Sequence, residues 1–336
     1  MIIDCHGHYT TEPAELGAYR DGQKAELETD PRARGHKGVV DISDQQLRDS
    51  VEGAQLKVQA DRGTDLTIFS PRASGMGHHL GNEHTSKNWT EHCNELIHRV
   101  VELYPRNFVG VAQLPQSPGV SMDNCIVELE RCVNEYGFIG CNLNPDPSGG
   151  YWTGPELGDR YWYPFYEKMC ELDVPAMVHV SAACNPNFHT TGSHYLGADT
   201  TAFMQMLTSD MLKDFPSIKF IIPHGGGAVP YHWGRFRGLV QAMDKEPLEE
   251  MVLGNVYFDT CVYHQPGIDL LLEVIPAENI LFASEMLGAV RGIDPNSGHN
   301  YDDTKRYIDA SSRATAQEKT MIFEDNAKRV FARLQA

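Results

Sequence analysis

Residues 2–8 read Ile-Ile-Asp-Cys-His-Gly-His, a short apolar run that ends in two histidines separated by one glycine. In an extended strand, side chains two positions apart point to the same face, so His6 and His8 can reach one metal ion. A chain with 15 histidines contains roughly one His-x-His pair by chance. A pair of loop histidines is therefore an equal alternative until the position of the pair in the fold is considered.

Short, β-rich apolar runs recur along the chain, with room for a helix between them. The eight predicted strands are residues 2–5, 66–70, 108–114, 138–143, 176–180, 218–222, 256–259 and 280–283. Between the first two, Leu47, Val51, Ala54 and Val58 fall on one helical face. Strand alternating with helix eight times predicts an α/β fold, a closed (β/α)8 (TIM) barrel rather than an open doubly wound sheet.

A second helical face is predicted close to residue 330. It is formed by five apolar residues, Phe323, Ala327, Val330, Phe331 and Leu334. Upstream of it, Thr315 and Glu318 have the spacing of a capping box, which predicts a helix start at that point.

The composition is that of an ordinary globular protein, with 41% hydrophobic and 22% charged residues and no linker-like tract, so residues 1–336 are predicted to form one domain. The first residues lack the basic region of a secretory signal, and no apolar stretch reaches the length of a membrane span. Eight cysteines without CxxC spacing are typical of reduced thiols. These features predict a cytoplasmic protein without a membrane partner.

The formal net charge of −18 argues against a nucleic-acid partner, because binding to phosphates requires a basic face. A small anionic substrate is compatible with this charge only where a few local cations hold it against the field of the whole molecule. Arginine, lysine, histidine or a metal ion would have to supply that local charge.

Long polar, Gly- and Pro-rich segments follow strands, and these are predicted to be the loops of the active-site face. They are residues 9–43, 71–86, 145–158, 181–198 and 286–302. Three further apolar strands end abruptly in an ionisable residue, at His179, at His224 and at Glu285. A buried structural histidine or carboxylate is as good an explanation for any one of them, but the barrel would bring all of them to one mouth.

The His-Gly-His start, the single His179, the His224-Gly-Gly-Gly run and the acidic Glu285 together resemble the amidohydrolase-related family, over nearly the whole chain. This resemblance implies a metal-dependent barrel of amidohydrolase type with His6, His8, His179 and Glu285 as the metal ligands. Residues 283–295, Ala-Ser-Glu-Met-Leu-Gly-Ala-Val-Arg-Gly-Ile-Asp-Pro, and the opening Asp-Cys-His-Gly-His-Tyr are similar to the 4-oxalomesaconate hydratase group of that family. A homodimer is a further implication of the family.

The sequence departs from the wider family at two positions that bear on the metal. Most members carry aspartate after the eighth strand, where this chain has the longer Glu285, which could reach the metal directly. Members with two metals need a carboxylated lysine after the fourth strand, where residues 141–144, Cys-Asn-Leu-Asn, offer only neutral groups. We therefore expect one zinc ion per chain, although manganese or iron would also fit these ligand types.

The resemblance implies hydration of 4-oxalomesaconate, or its enol tautomer, to 4-carboxy-4-hydroxy-2-oxoadipate in protocatechuate and gallate breakdown. Glu285 would then act as ligand and proton shuttle, and His224 would orient the water or move a proton, with the two roles open to exchange. The glycines after His224 would let backbone approach the ligand, unless they form only a tight turn before a helix.

A tricarboxylate substrate needs cationic or donor groups, and three residues in the predicted loops are candidates for binding it. Arg72 and Arg291 could pair with carboxylates, or could be solvated loop charges or members of structural ion pairs. Tyr195 could donate its hydroxyl, or could be a structural tyrosine. Weaker candidates are His194 and Asn144, whereas Arg235 and Arg237 are predicted to lie on a helix surface.

Two other functions stay open at this stage. The same site could decarboxylate a hydroxybenzoate-like acid or hydrolyse a lactone, because fold does not fix function. The barrel could also be a non-catalytic metal-binding module. A structural zinc is usually closed off from solvent by four protein ligands, whereas these residues are predicted to lie at a loop-lined mouth.

Overall fold

Nine short parallel strands form the centre of the molecule in the computed structural model, which describes residues 1–335. They are β1 (Ile3–Tyr9), β2 (Leu66–Pro71), β3 (Phe108–Gly110), β4 (Ala112–Gln113), β5 (Cys141–Leu143), β6 (Ala176–Val178), β7 (Phe220–Ile222), β8 (Val256–Asp259) and β9 (Ile280–Leu281). Each of the eight predicted strands is present, and the predicted strand 108–114 is divided at Val111 into β3 and β4. The strands pair in chain order, β1 to β3 in one ladder and β4 to β9 in another.

Backbone hydrogen bonds join the two ladders into a ring. The Val111 N–H donates to the carbonyl of Phe69 at 3.0 Å, and the Ala112 N–H donates to the carbonyl of Gly140 at 2.9 Å. At the other junction, the Cys5 N–H in β1 donates to the carbonyl of Phe282, directly after β9, at 2.9 Å. With β3 and β4 occupying one position, the sheet is the predicted (β/α)8 barrel.

The barrel interior is filled by side chains from every strand position. The shared interior cluster contains Ile3, Cys5, Leu66, Ile68, Val111, Ile139, Met177, Ile221, Tyr257 and Leu281. Ala327, Val330 and Phe331 belong to the same cluster, so the C-terminal segment covers the end of the barrel where the strands begin. The opposite end, where the strands finish, is left for the loops.

Helices surround the sheet, and most of them bury apolar side chains against its outer surface. They are α1 (Ala14–Thr29), α2 (Asp44–Glu52), α3 (Gln55–Arg62), α4 (Glu83–Leu103), α5 (Asp123–Tyr136), α6 (Tyr163–Leu172), α7 (Gly192–Thr208), α8 (Met211–Asp214), α9 (Trp233–Ala242), α10 (Leu248–Val252), α11 (Gln265–Val274), α12 (Lys305–Ala310), α13 (Ala316–Thr320) and α14 (Asn326–Val330). Short 3-10 segments lie at Ala73–Gly75, Arg160–Trp162, His224–Gly226 and Ala277–Asn279, and a π-helical turn, Met321–Asp325, joins α13 to α14.

The structure corrects the sequence-based expectation for two segments between β1 and β2. Residues 9–43 were expected to be a loop, but they contain the 16-residue helix α1, of which only Leu16 and Arg20 are buried. The predicted face through Leu47 and Val58 belongs to two helices, α2 and α3, because the backbone of Ala54 leaves the helical region. Among residues 1–335, no helix combines the length and the apolar character that a membrane span needs.

The capping box at the start of α13 is confirmed. The Thr315 side chain accepts from the Glu318 N–H at 3.2 Å, and the Glu318 carboxylate accepts from the Thr315 N–H at 2.7 Å. Thr315→Ala is expected to lower the free energy of unfolding by about 1 kcal/mol, because one N-terminal N–H loses its acceptor. Urea unfolding checks this, with Thr320→Ala as the control, since the Thr320 hydroxyl only donates back to the Ala316 carbonyl. Equal midpoints for both variants would contradict the expectation.

Candidate metal centre

Three buried imidazoles meet at the barrel mouth, two from β1 and one that directly follows β6. Nε2 of His8 lies 3.0 Å from Nε2 of His6 and 3.3 Å from Nε2 of His179. The β1–β2 register shifts between Asp4 and Gly7, and a Cβ on Gly7 would lie 2.2 Å from Thr67 Cγ2. The glycine between the histidines therefore lets β1 lie close against β2 while both imidazoles reach the site.

The other ring nitrogen of each histidine is held by the protein. Nδ1 of His6 lies 2.7 Å from Asp259 Oδ2. Nδ1 of His8 lies 2.7 Å from Ser70 Oγ, and Nδ1 of His179 lies 2.8 Å from the Val180 carbonyl. Partners on Nδ1 fix the ring orientation of metal-binding histidines and leave Nε2 for the ion. The three imidazoles therefore fit a metal site.

The charge state of these rings also suits a metal. Burial, and then the neighbouring His6 and His224 imidazoles, lower the pKa of His8 well below its ordinary value. Burial and the neighbouring His8 imidazole do the same to the pKa of His179. Both rings are thus neutral near pH 7, and the neutral ring is the form that binds metal.

His224 and Glu285 complete the centre from the segments after β7 and β9. Both have backbone φ in the left-handed region, +53° and +50°. For a residue other than glycine this conformation costs about 1–3 kcal/mol, and such strain is concentrated at functional sites. In the Gly-rich run after His224, the Gly225 N–H donates to Asp259 Oδ1 at 2.9 Å, so these glycines serve the site as well as a turn.

Two overlapping sets of ligand atoms describe the centre. Among residues 1–335, donor atoms of His6, His179, His224 and Glu285 all lie within 4.8 Å of one another. The predicted set shares three of these residues and has His8 in place of His224. His8 contacts both His6 and His179 directly, so the structure places five candidate donors around one point.

His224, like His6, has an acidic partner, and this partner lies on α7. Its Nδ1 lies 2.8 Å from Oδ2 of the buried Asp199, whereas its buried Nε2 has no partner within the protein. Burial lowers the pKa of His224, but the Asp199 carboxylate outweighs this effect and raises that pKa to about 9. The unpartnered Nε2 can donate to a water molecule or a substrate, and it can bind a metal once it has lost its proton.

A cavity of about 490 Å³ opens above the centre, and all three predicted substrate-binding residues line it. Its lining consists of His8, Thr10, Arg72, Ala73, Ser74, His179, Thr191, Tyr195, Glu285, Gly288, Ala289 and Arg291. Polar groups thus predominate around it, which suits a charged ligand.

The three substrate-binding candidates differ in how firmly they are held. Tyr195 lies in the first turn of α7 rather than in the predicted loop, and its buried hydroxyl has no partner. Arg72 is half-exposed, with Nε 3.0 Å from Ser74 Oγ and a guanidinium nitrogen 3.6 Å from Glu12. The exposed Arg291 donates to the carbonyls of its own loop, including that of Leu287 at 2.7 Å. Two cations and one free hydroxyl therefore surround the cavity.

The weaker candidates lie outside the cavity lining. His194 is buried and packs against Phe188, and the side-chain amide of Asn144 bonds His78 Nδ1 at 2.9 Å. Arg235 and Arg237 are exposed on α9, as predicted. His194 and Asn144 thus support neighbouring loops.

Four residues that contact the centre were missed by the sequence-based prediction. They are Ser70, Asp199, Asp259 and Tyr263, which bond His8, His224, His6 and Glu285 respectively. Asp259 ends an apolar strand, so it carried the same signal as the predicted histidines. The other three carry no local signal, because their roles arise from tertiary contacts.

Comparisons with known proteins place this chain in one family. The model of the family described as Amidohydrolase matches residues 3–333. A 2-keto-4-carboxy-3-hexenedioate hydratase from Sphingobium sp. is 58% identical over 336 residues, which cover 100% of this chain and 97% of the relative. A gamma-resorcylate decarboxylase from Polaromonas sp. is 26% identical over 70% of this chain and 76% of its own length.

Solved structures agree with this grouping. The crystal structure of 4-oxalomesaconate hydratase from Rhodopseudomonas palustris superposes with a TM-score of 0.91 at 58% identity, covering 99% of this chain and 96% of that one. A dihydroxybenzoic acid decarboxylase from Polaromonas sp., solved with bound manganese and an inhibitor, gives 0.72 at 20% identity, with 100% and 98% covered. The second likeness is evidence for the fold alone.

Proposed function

The chain belongs to the amidohydrolase family, and from this membership we propose that it is a metal-dependent hydratase of 4-oxalomesaconate or its enol tautomer. The product would be 4-carboxy-4-hydroxy-2-oxoadipate, in the breakdown of protocatechuate and gallate. The observation that carries the proposal is the 58% identity to a hydratase over the whole chain, compared with 26% for a decarboxylase over part of it. A cavity with two arginines beside the metal centre supports a polyanionic substrate.

We propose zinc as the metal, one ion per chain, held by His6, His8, His179 and Glu285. A mixed set of imidazoles and a carboxylate suits catalytic zinc, and the same ligand types accept manganese. When bound, the ion would supply Lewis acidity toward the oxygen atoms of the substrate. The homodimer implied by the family stays a prediction. The proposed location is the cytoplasm, and the eight unpaired cysteines support such a reducing compartment.

The hydration adds one water molecule across a conjugated carbon–carbon double bond. Its oxygen bonds to C4, which carries the extra carboxyl group, and a proton is delivered to C3. His224 and Glu285 divide the two proton transfers: one takes a proton from water and the other delivers a proton to carbon. Asp199 holds the His224 ring at Nδ1, so that its free Nε2 stays in the site.

The remaining polar groups of the cavity hold the substrate. Arg72 and Arg291 can pair with carboxylates in a net-negative protein, and the unpartnered Tyr195 hydroxyl can donate to a third oxygen. Because these contacts are the same before and during the reaction, they act mainly on substrate affinity.

Arg72→Gln is therefore expected to raise KM about 10- to 100-fold with little change in kcat, because a hydrogen bond to a charged group is lost. Steady-state kinetics measure this. The matched control is Arg235→Gln, which removes an exposed arginine from α9 and should leave both constants unchanged. An unchanged KM in Arg72→Gln would remove Arg72 from substrate binding.

The proposed function is tested by following the ultraviolet absorbance of 4-oxalomesaconate with the zinc-loaded protein, since hydration breaks the absorbing conjugation. We expect the absorbance to fall and the product to contain one added water. Release of carbon dioxide from a hydroxybenzoate, together with no change in 4-oxalomesaconate, would assign a decarboxylase instead. Lactone opening alone would point to hydrolysis, and no turnover of any of these compounds by the metal-loaded protein would favour a binding module.

A further inference from the structure

Tyr263 and Glu285 meet above the ends of two neighbouring strands, β8 and β9. The Tyr263 hydroxyl donates to Glu285 Oε2 at 2.7 Å and also lies 3.4 Å from the Ser284 carbonyl. The other oxygen of Glu285, Oε1, has only a long contact of 3.4 Å from the Ala289 N–H. One carboxylate oxygen is therefore firmly held by the protein, and the other is left for the site.

The backbone on both sides of this hydrogen bond is strained. Tyr263 has φ of +64° and Glu285 has φ of +50°, although neither is glycine. A Cβ on Gly288 would lie 2.7 Å from Glu285 Cγ and 2.8 Å from Cδ, so this glycine leaves room for the glutamate. Two loops thus adopt unfavourable conformations that bring one hydroxyl to one carboxylate, which is typical of a functional contact.

A glutamate at position 285 is harder to hold in one orientation than an aspartate would be. Its side chain has one more rotatable bond, so its carboxylate has more orientations to lose when it binds an ion. The carboxylate nevertheless lies within 4.8 Å of donor atoms of His6, His179 and His224. A fixed partner that reduces this freedom would strengthen metal binding.

We propose that Tyr263 is a positioning residue for Glu285: its hydroxyl holds Oε2 and so keeps the carboxylate among the donors of the metal centre. The inference rests on the proposed metal dependence but not on the identity of the organic substrate. It explains how a chain with glutamate in place of the usual aspartate builds a firm metal site.

The test compares Tyr263→Phe with the wild type, both loaded with zinc. We expect zinc affinity, measured by competition with a chelator, to fall about 10- to 100-fold, as for other residues that orient metal ligands. The visible d–d bands of the cobalt-substituted protein should shift, and kcat should fall about tenfold while KM changes less than twofold. The cobalt spectrum reports metal coordination directly, which a packing role alone would not alter.

Tyr257→Phe is the matched control, because it removes a tyrosine hydroxyl from the preceding strand in the interior cluster, where Arg329 donates to it at 3.3 Å. Zinc affinity and cobalt spectrum should be those of the wild type in this variant. In a Glu285→Asp background, the effect of Tyr263→Phe on zinc affinity should shrink to less than twofold, because the shorter carboxylate cannot keep the contact.

Three outcomes would overturn the proposal. Zinc affinity within twofold of the wild type is one, and an equal loss in the wild-type and Glu285→Asp backgrounds is another. The third is a loss of affinity that is matched by a lower unfolding temperature of the metal-free variant, which would assign a structural role. Tyr263→Phe could bind zinc more weakly while neither the variant nor the wild type hydrates 4-oxalomesaconate. That result would support the positioning role of Tyr263 and reject the proposed hydratase activity.

Discussion

Removal of the bound metal is expected to lower the hydration rate by about a thousandfold or more, because the lost Lewis acid is worth several kcal/mol of barrier. Three imidazoles and a carboxylate meet at the base of the cavity, and His224 lies directly beside them. Without the ion the arginines can still bind the substrate, so affinity should suffer less than turnover. Dialysis against a chelator, followed by the absorbance assay and metal analysis, measures the loss.

Restoration is the control for this experiment. Adding zinc back to the stripped protein should return the activity at about one ion per chain, and a parallel series with manganese compares the two metals. His8→Asn should lower the bound zinc even without a chelator, since His8 contacts two other imidazoles of the centre. Full activity in protein that is shown to hold no metal would reject the metal-dependent mechanism.

Replacement of His224 by asparagine is expected to lower kcat about 100- to 10,000-fold, the range typical of a lost acid–base group. The bound zinc should stay near one ion per chain, because His8 and the other three predicted ligands are intact. Kinetics and metal analysis on the same preparation separate the two effects. Asp199→Asn should lower kcat by a smaller factor, about 10- to 100-fold, because it leaves the ring and an acceptor in place but removes the negative charge of the partner.

His232→Asn is the matched control for His224→Asn, since His232 is exposed eight residues further along the chain. It should have the activity and metal content of the wild type. If His224→Asn instead loses its zinc in proportion to its activity, His224 is a ligand, and the set of His6, His179, His224 and Glu285 describes the centre better than the predicted one.

The strand ends could be predicted from the sequence because two simple effects coincide there. The sequences of buried parallel strands are continuous apolar runs, and a barrel brings the carboxyl ends of all its strands to one face. An ionisable residue at the end of such a run, as at His179 or Glu285, is therefore predicted to lie at the loop-lined mouth of the barrel. Asp259 follows the same rule and could have been found with it.

The other residues that orient the side chains of the centre could not be predicted in this way. Tyr263 is 22 positions from Glu285, and Asp199 is 25 positions from His224. Their contacts depend on unusual backbone angles and on how α7 lies over the barrel, and neither is encoded by a local hydrophobic period. Such residues become visible only when the side chains are placed in three dimensions.

Helix α1 and the start of helix α7 could not be predicted from the sequence either. Helix α1 has only two buried residues, so its sequence lacks the apolar period that predicts a helix. Helix α7 begins at Gly192 after Thr191, whose side chain makes no capping hydrogen bond, so no start signal marks the turn that contains Tyr195. Tyr195 lines the cavity, but it lies in a helix and not in the predicted loop.

The C-terminal cover of the barrel has a consequence for how the chain is made. Ile3 packs in the same interior cluster as Phe331, and Cys5 bonds Phe282, so contacts between residues more than 270 positions apart complete the core. A chain that emerges from the ribosome cannot finish this core until residue 331 has left the exit tunnel. Contacts of such long range slow folding, and incomplete chains expose apolar surface. Nascent chains that stop before the last helix should therefore depend on chaperones during translation.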